Sequence, residues 1–150
     1  MAVHDQLEFF QWNCNGIRSK AFILENCLQH YKPDIFALTE TKLNGDISDN
    51  EICSKYTLYR YDRSDNLGRG GGVLIGISDL CPISVNHVEK CPLGEILSLN
   101  LSISGFSFRF SVYYHRPMHT DVNDIINWYN SVLEPNVLIV GDFKRSLKLE

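Results

Sequence analysis

No stretch of this sequence approaches the roughly 18 consecutive apolar residues that a membrane-spanning helix requires. The amino terminus carries His4, Asp5, Gln6 and Glu8 where a secretory signal would place positive charge and then an apolar run. Both absences point to a soluble, intracellular protein with no membrane partner. Positive charge is scarce too: 14 lysines and arginines against 18 acidic residues leave a formal net charge of −4. Neutralising phosphates drives nucleic-acid binding, so this balance counts against a tight DNA binder. It does not exclude a nuclease, whose cleft must keep carboxylates for a metal ion. The cysteines, at 14, 27, 53, 81 and 91, form no C-x-x-C pair and are odd in number. Reduced, partly buried thiols are expected, not a zinc site. His115 and His119 are four apart, but Pro117 between them forbids the helix that would turn both rings onto one metal.

What is present suits one soluble domain. The chain has 150 residues, 44% of them hydrophobic and 21% charged, with no repeats and no linker. The order of elements is α/β. Residues 8–14 read as a strand running into a turn at Asn15-Gly16. Ser19 can cap a helix over residues 20–31, with Ile23, Leu24, Cys27, Leu28 and Tyr31 on one face, and Pro33 ends it. Residues 35–38 are wholly apolar, as in a strand covered on both sides. Further strands are expected over residues 56–61 and 72–77, on either side of a charged, glycine-rich loop. That loop lacks a following Lys-Ser/Thr and feeds a strand, so it is not a P-loop.

The strongest local signal lies between Leu97 and Val112. Leu97, Leu99, Leu101 and Ile103 alternate with polar residues, as do Phe106, Phe108, Phe110 and Val112, and Ser104-Gly105 separates the runs. A two-residue turn pairs Ile103 with Phe106, Leu101 with Phe108, Leu99 with Phe110 and Leu97 with Val112. All eight apolar side chains then share one face. Thr120 can cap a second helix whose apolar face holds Ile125, Ile126, Tyr129, Val132 and Leu133. Residues 137–140 form a last strand ending at Gly141-Asp142. Residues 144–150 show no packing pattern and are expected to fray.

Asn13, Glu40, Tyr114 and Asp142 each stand at or just past the end of an apolar strand, where side chains from distant sequence converge. Glu40 and Asp142 are suitable carboxylates for a hard cation, which takes one or two of them and fills its other positions with water and phosphate. Asn13 and Asn15 can orient a carboxylate or contact a phosphate without adding charge. Read without such a site, the same residues would be a solvated glutamate, a rim tyrosine and a pair of turn-forming asparagines.

Five segments occur in series: Trp12-Asn13-Cys14-Asn15-Gly16-Ile17-Arg18, Leu38-Thr39-Glu40-Thr41-Lys42, Gly70-Gly71-Gly72-Val73, Val112-Tyr113-Tyr114-His115-Arg116-Pro117 and Gly141-Asp142-Phe143. Together they resemble the ordered motifs of the endonuclease/exonuclease/phosphatase superfamily. The glycine triplet and short spacing resemble the endonuclease domains of non-LTR retrotransposons. The resemblance implies a DNase-I-like two-sheet α/β sandwich, of which residues 1–150 would be the amino-terminal portion, truncated before its second half is complete. It implies that Glu40 is the principal ligand of magnesium or manganese, with Asn15 where repair enzymes often carry aspartate. Asn13 would contact the scissile phosphate and Asp142 would position the attacking water. Tyr114 would donate its hydroxyl to the phosphate, with Tyr113 the alternative. The partner would be DNA, and the compartment the nucleus for a working retroelement nuclease.

Two departures bear on activity. The family motif reads Gly-Asp-x-Asn, and here Lys144 replaces the asparagine; a lysine cannot accept a hydrogen bond. The superfamily's later aspartate-histidine pair has no counterpart in these motifs. A non-cleaving remnant or binding module, or a relative acting on RNA, nucleotide, lipid or inositol phosphates, are the competing readings. Loss of the second half is also expected to uncover the hairpin's apolar face, each large wet side chain forfeiting roughly 1.5–3 kcal/mol.

Overall fold

The computed structural model describes residues 6–63, 71–91, 94–114, 122–131 and 136–142, with backbone alone for Val122, Ile125, Tyr129 and Asp142. Strand β1 (Phe9–Asn13) leads through a 3-10 turn, Arg18–Lys20, into helix α1 (Ala21–Tyr31). Ser19 lies inside that turn, which is closed by the Lys20 N–H donating to Ile17 O at 2.9 Å, so Ser19 does not cap the helix. Lys20 takes the cap position with no side-chain bond. At the other end Lys32 turns left-handed, its N–H donating to Leu28 O, and Pro33 follows.

Strands β2 (Ile35–Thr39), β3 (Tyr56–Tyr61) and β4 (Val73–Ser78) complete the first sheet in the order β1-β2-β4-β3. β1 runs parallel to β2, and the other pairs are antiparallel. All five residues of β2 are buried because both its faces are covered. Phe36 and Leu38 pack with Leu24 and Leu28 of α1. Ile35 and Ala37 face the second sheet.

That sheet has the order β5-β6-β7-β8, built from β5 (Ser84–Lys90), β6 (Glu95–Ile103), β7 (Phe106–Tyr114) and β8 (Val137–Asp142). The β6–β7 register is the one the alternation dictates, from Ile103 opposite Phe106 to Leu97 opposite Val112. It continues one further inner-face rung, to Glu95 opposite Tyr114. Ser104 and Gly105 both have positive φ, as a two-residue turn of this hand needs. β8 runs parallel to β7.

Three expectations are corrected here. The hairpin's apolar face keeps its cover: Leu97, Leu99, Leu101, Phe110 and Val112 are buried against Ile35, Ala37, Val73, Ile75 and Ile77 of the first sheet. Only its outer end, at Phe106, stays wet. On α1, Leu24 and Leu28 carry the buried face, whereas Ile23 and Tyr31 are exposed. In the second helix, α2 (Val122–Ser131), Ile126 is exposed, and among the described side chains Trp128 packs against Cys91 and Ile96. Thr120, Val132, Leu133 and residues 144–150 lie outside the described residues. No helix among the described residues is long and apolar enough to cross a membrane.

Candidate active site

Two parallel pairs bring the candidate residues together. β1 and β2 run side by side with Asn13 opposite Thr39, so their carboxyl ends open in the same direction, and Glu40 follows directly. β7 and β8 do the same in the other sheet, with Tyr114 opposite Asp142. The two ends meet: the Tyr114 hydroxyl donates to Glu40 Oε1 at 2.6 Å, joining residues 74 apart in sequence. Asn13 Oδ1 accepts the Asn15 N–H at 3.3 Å. Of the two adjacent tyrosines, Tyr114 reaches Glu40, while Tyr113 packs with Cys91 and Ile96. The Asp142 backbone lies beside Tyr114; its side chain is outside the described residues. His115, His119 and Lys144 are outside them as well.

The backbone here is strained in a concentrated way. Asn15, Glu40 and Lys42 have φ of 46°, 54° and 55°, left-handed values that cost non-glycine residues energy. Such strain, about 1–3 kcal/mol per residue, persists only where surroundings over-determine it, and it gathers at functional sites. A ladder fixes it: Gly16 N donates to Glu40 O at 2.7 Å, Ile17 N to Thr41 O at 3.0 Å, and Lys42 N to Gly71 O at 2.8 Å.

Lysines line the rim. Lys42 Nζ donates to Asn15 Oδ1 at 2.6 Å, and Lys20 Nζ donates to Cys14 O at 2.6 Å and to Asn15 O at 3.2 Å. In an acidic chain, this places two ammonium groups beside Asn15 and the strand end that carries Glu40. Burial, with the hydrogen bond to Glu40 next in size, pushes the Tyr114 phenol up to about 12. It therefore keeps its proton at neutral pH and remains a donor.

Two residues of this neighbourhood went unnamed in the sequence. Glu95 is buried and accepts from Arg63 Nε at 3.1 Å and from Arg63 NH2 at 3.0 Å. Glu95 stands two residues before Leu97, in phase with the buried face, and that phase was its signal. Arg63 sits in a charged loop without periodicity and had none.

The candidate donors are the Glu40 carboxylate and the amide oxygens of Asn13, which accepts the Asn15 N–H, and of Asn15, which accepts from the Lys42 ammonium. Among the described residues no group of three His, Cys, Asp or Glu side chains could hold a metal. A hard ion that keeps most of its water needs no such group, whereas zinc would. Glu40 could hold such an ion.

No family model matches the sequence, and no curated protein matches it. Solved structures do. An AP endonuclease from Archaeoglobus fulgidus superposes with a TM-score of 0.62 at 18% identity, over 91% of this chain and 57% of its own. The 3′ phosphatase NExo from Neisseria, bound to product DNA hairpin, gives 0.62 at 16% identity, over 92% and 58%. D. rerio TDP2 complexed with a single-strand DNA product gives 0.60 at 14%, over 90% and 58%. The fold is a partial DNase-I-like α/β sandwich. At these identities the likeness shows the fold alone, and the chain spans less than three fifths of each of these three structures.

Proposed function

We propose that this chain is the amino-terminal portion of a metal-dependent phosphodiesterase domain of the retrotransposon DNA-endonuclease type. The observation that carries the reading is the meeting of Glu40 and Tyr114 across the two sheets, at the ends of the strands bearing Asn13 and Asp142. DNA as substrate is supported by the company the fold keeps, since two of the similar structures hold DNA products.

In this reading Glu40 is the principal ligand of magnesium or manganese. Asn15 is a weaker donor, because its oxygen is shared with the Lys42 ammonium. The bound cation would polarise a phosphoryl oxygen and stabilise developing charge. Tyr114, protonated at neutral pH, donates to a phosphate oxygen in exchange for its bond to Glu40. Asn13 contacts the scissile phosphate, and Asp142 positions the attacking water. Lys20 and Lys42 draw the polyanion to the rim.

The isolated chain is expected to bind Mn²⁺ weakly and to nick DNA below detection. Absence of a positioned acid/base group costs about 10²- to 10⁴-fold in rate, and Lys144 cannot replace the motif's amide. The test pairs Mn²⁺ titration with a magnesium-dependent nicking assay on supercoiled plasmid, using the wild-type chain and Glu40→Ala. Binding lost in the variant supports the reading. Nicking by the wild type that disappears in Glu40→Ala would overturn the expected inactivity, and Mn²⁺ binding indifferent to Glu40 would overturn the metal assignment.

A further inference from the structure

The inner face of the β6–β7 hairpin is apolar from Ile103 and Phe106 to Leu97 and Val112, then ends in a polar rung, Glu95 opposite Tyr114. Glu95 is 1% exposed, so its charge must be answered locally. Arg63 answers it with a two-pronged fork, Nε to Oε1 and NH2 to Oε2. The Gly72 N–H adds a third bond to Oε1 at 2.9 Å.

From this pair two connections run to Glu40. In the first, Tyr114 stands opposite Glu95 in the β6–β7 register, and its hydroxyl donates onward to Glu40 Oε1. In the second, Glu95 holds Gly72, whose carbonyl accepts from Thr41 N at 3.2 Å, while Gly71 O accepts from Lys42 N. Those are the residues directly after Glu40. The glycines are required by this packing: a Cβ at Gly71 would overlap both the Arg63 guanidinium and Glu95 Oε1, and one at Gly72 would overlap Thr41 Oγ1.

We infer that the Arg63–Glu95 pair is a positioning device that fixes the Glu40 carboxylate from two sides, through the Tyr114 phenol and through the Gly71-Gly72 backbone. Its value for cation binding rests on the function proposed above, but the positioning belongs to the metal-free chain. The planar fork makes arginine specific here, since a lysine offers one point charge and cannot hold both Glu95 oxygens in a fixed geometry.

The experiment uses the full chain with ¹³Cζ-labelled tyrosine and no metal, the Tyr114 resonance being assigned by its loss in Tyr114→Phe. Arg63→Lys and Arg63→Gln should shift that resonance, in the direction seen for Glu40→Gln, while those of Tyr31 and Tyr56 stay in place. Leaving Glu95 buried without its partner could prevent folding. The double change Arg63→Met with Glu95→Leu removes both charges, a substitution that buried pairs often tolerate, and takes the measurement in that case. A Tyr114 resonance unmoved in a folded variant overturns the inference. Mn²⁺ affinity gives a second readout: the double change should weaken it about 10- to 100-fold, as loss of groups behind a metal ligand typically does. Adding Tyr114→Phe should then cost less than the sum of the separate losses, because part of the effect runs through that hydroxyl. Strict additivity would contradict the phenol connection. If the wild type binds no Mn²⁺ at Glu40, the metal reading fails, and the Tyr114 resonance still decides the positioning.

Discussion

At the scale of single residues, the site declares itself through conformation more than through composition. A left-handed Asn15 is unremarkable, but a left-handed glutamate and lysine two residues apart, facing it across a ladder, are held there by their neighbours. Lys42→Gly should therefore be more stable than Lys42→Ala by about 0.5–1 kcal/mol, since glycine relieves the strain and gives back part of it as unfolded-state entropy. Denaturant unfolding of the two variants measures this, and a more stable alanine variant would contradict it. The thiols make a second residue-scale case. Burial pushes Cys14 up to about 11, Cys53 to about 12 and Cys81 to about 11. Cys91 is fully buried, and Cys27 is the partly exposed one. Iodoacetamide at pH 8 should label Cys27 first, with the rest reacting only on unfolding; early labelling of Cys14 by mass spectrometry would contradict the burial. Their folded values lie above the ordinary 9, so the stability gained by keeping these thiols neutral is complete below pH 9. It is lost as pH rises towards 11 and 12.

At the scale of elements, legibility followed the clarity of the period. The β6–β7 hairpin was readable to the exact register because both strands alternate strictly on either side of a two-residue turn. β2 was readable because two covered faces make residues 35–38 wholly apolar. β5 was not foreseen: it is a polar edge strand, and a bulge between Val85 and His87 breaks its alternation. The second helix was foreseen, but Trp128 was not named on its packed face, since it serves a small cluster with Cys91 and Ile96 outside the main core. The hairpin also carries a graded prediction. Leu99→Ala, at the buried centre, should cost about 2–5 kcal/mol. Phe106→Ala, at the wet end, should cost about 1 kcal/mol or less, in the range of ordinary surface changes. Equal losses in chemical denaturation would show that the outer end is covered in solution.

At the scale of the whole molecule, the two sheets have different jobs at their two ends. At the carboxyl ends of β1, β2, β7 and β8 lie the polar residues around Glu40. At the opposite ends a groove of about 370 Å³ is lined by Leu7, Phe9, Phe106, Phe108, Asn136, Val137 and Leu138. That groove is apolar, and nothing in it resembles a phosphate site. The meeting of Glu40 and Tyr114 was legible as a meeting of strand ends, because both stand at that place in the sequence pattern. The buried support behind it was not, because Arg63 meets Glu95 across 32 residues without any local pattern to announce it.

If one cation binds where Glu40 meets Tyr114, as proposed, paramagnetic broadening by Mn²⁺ in a ¹⁵N-labelled chain will locate it. Selective loss of the amide signals of Asn13, Asn15, Glu40, Thr41 and Tyr114 is expected, abolished in Glu40→Gln. Broadening centred elsewhere, or unchanged in Glu40→Gln, would contradict it.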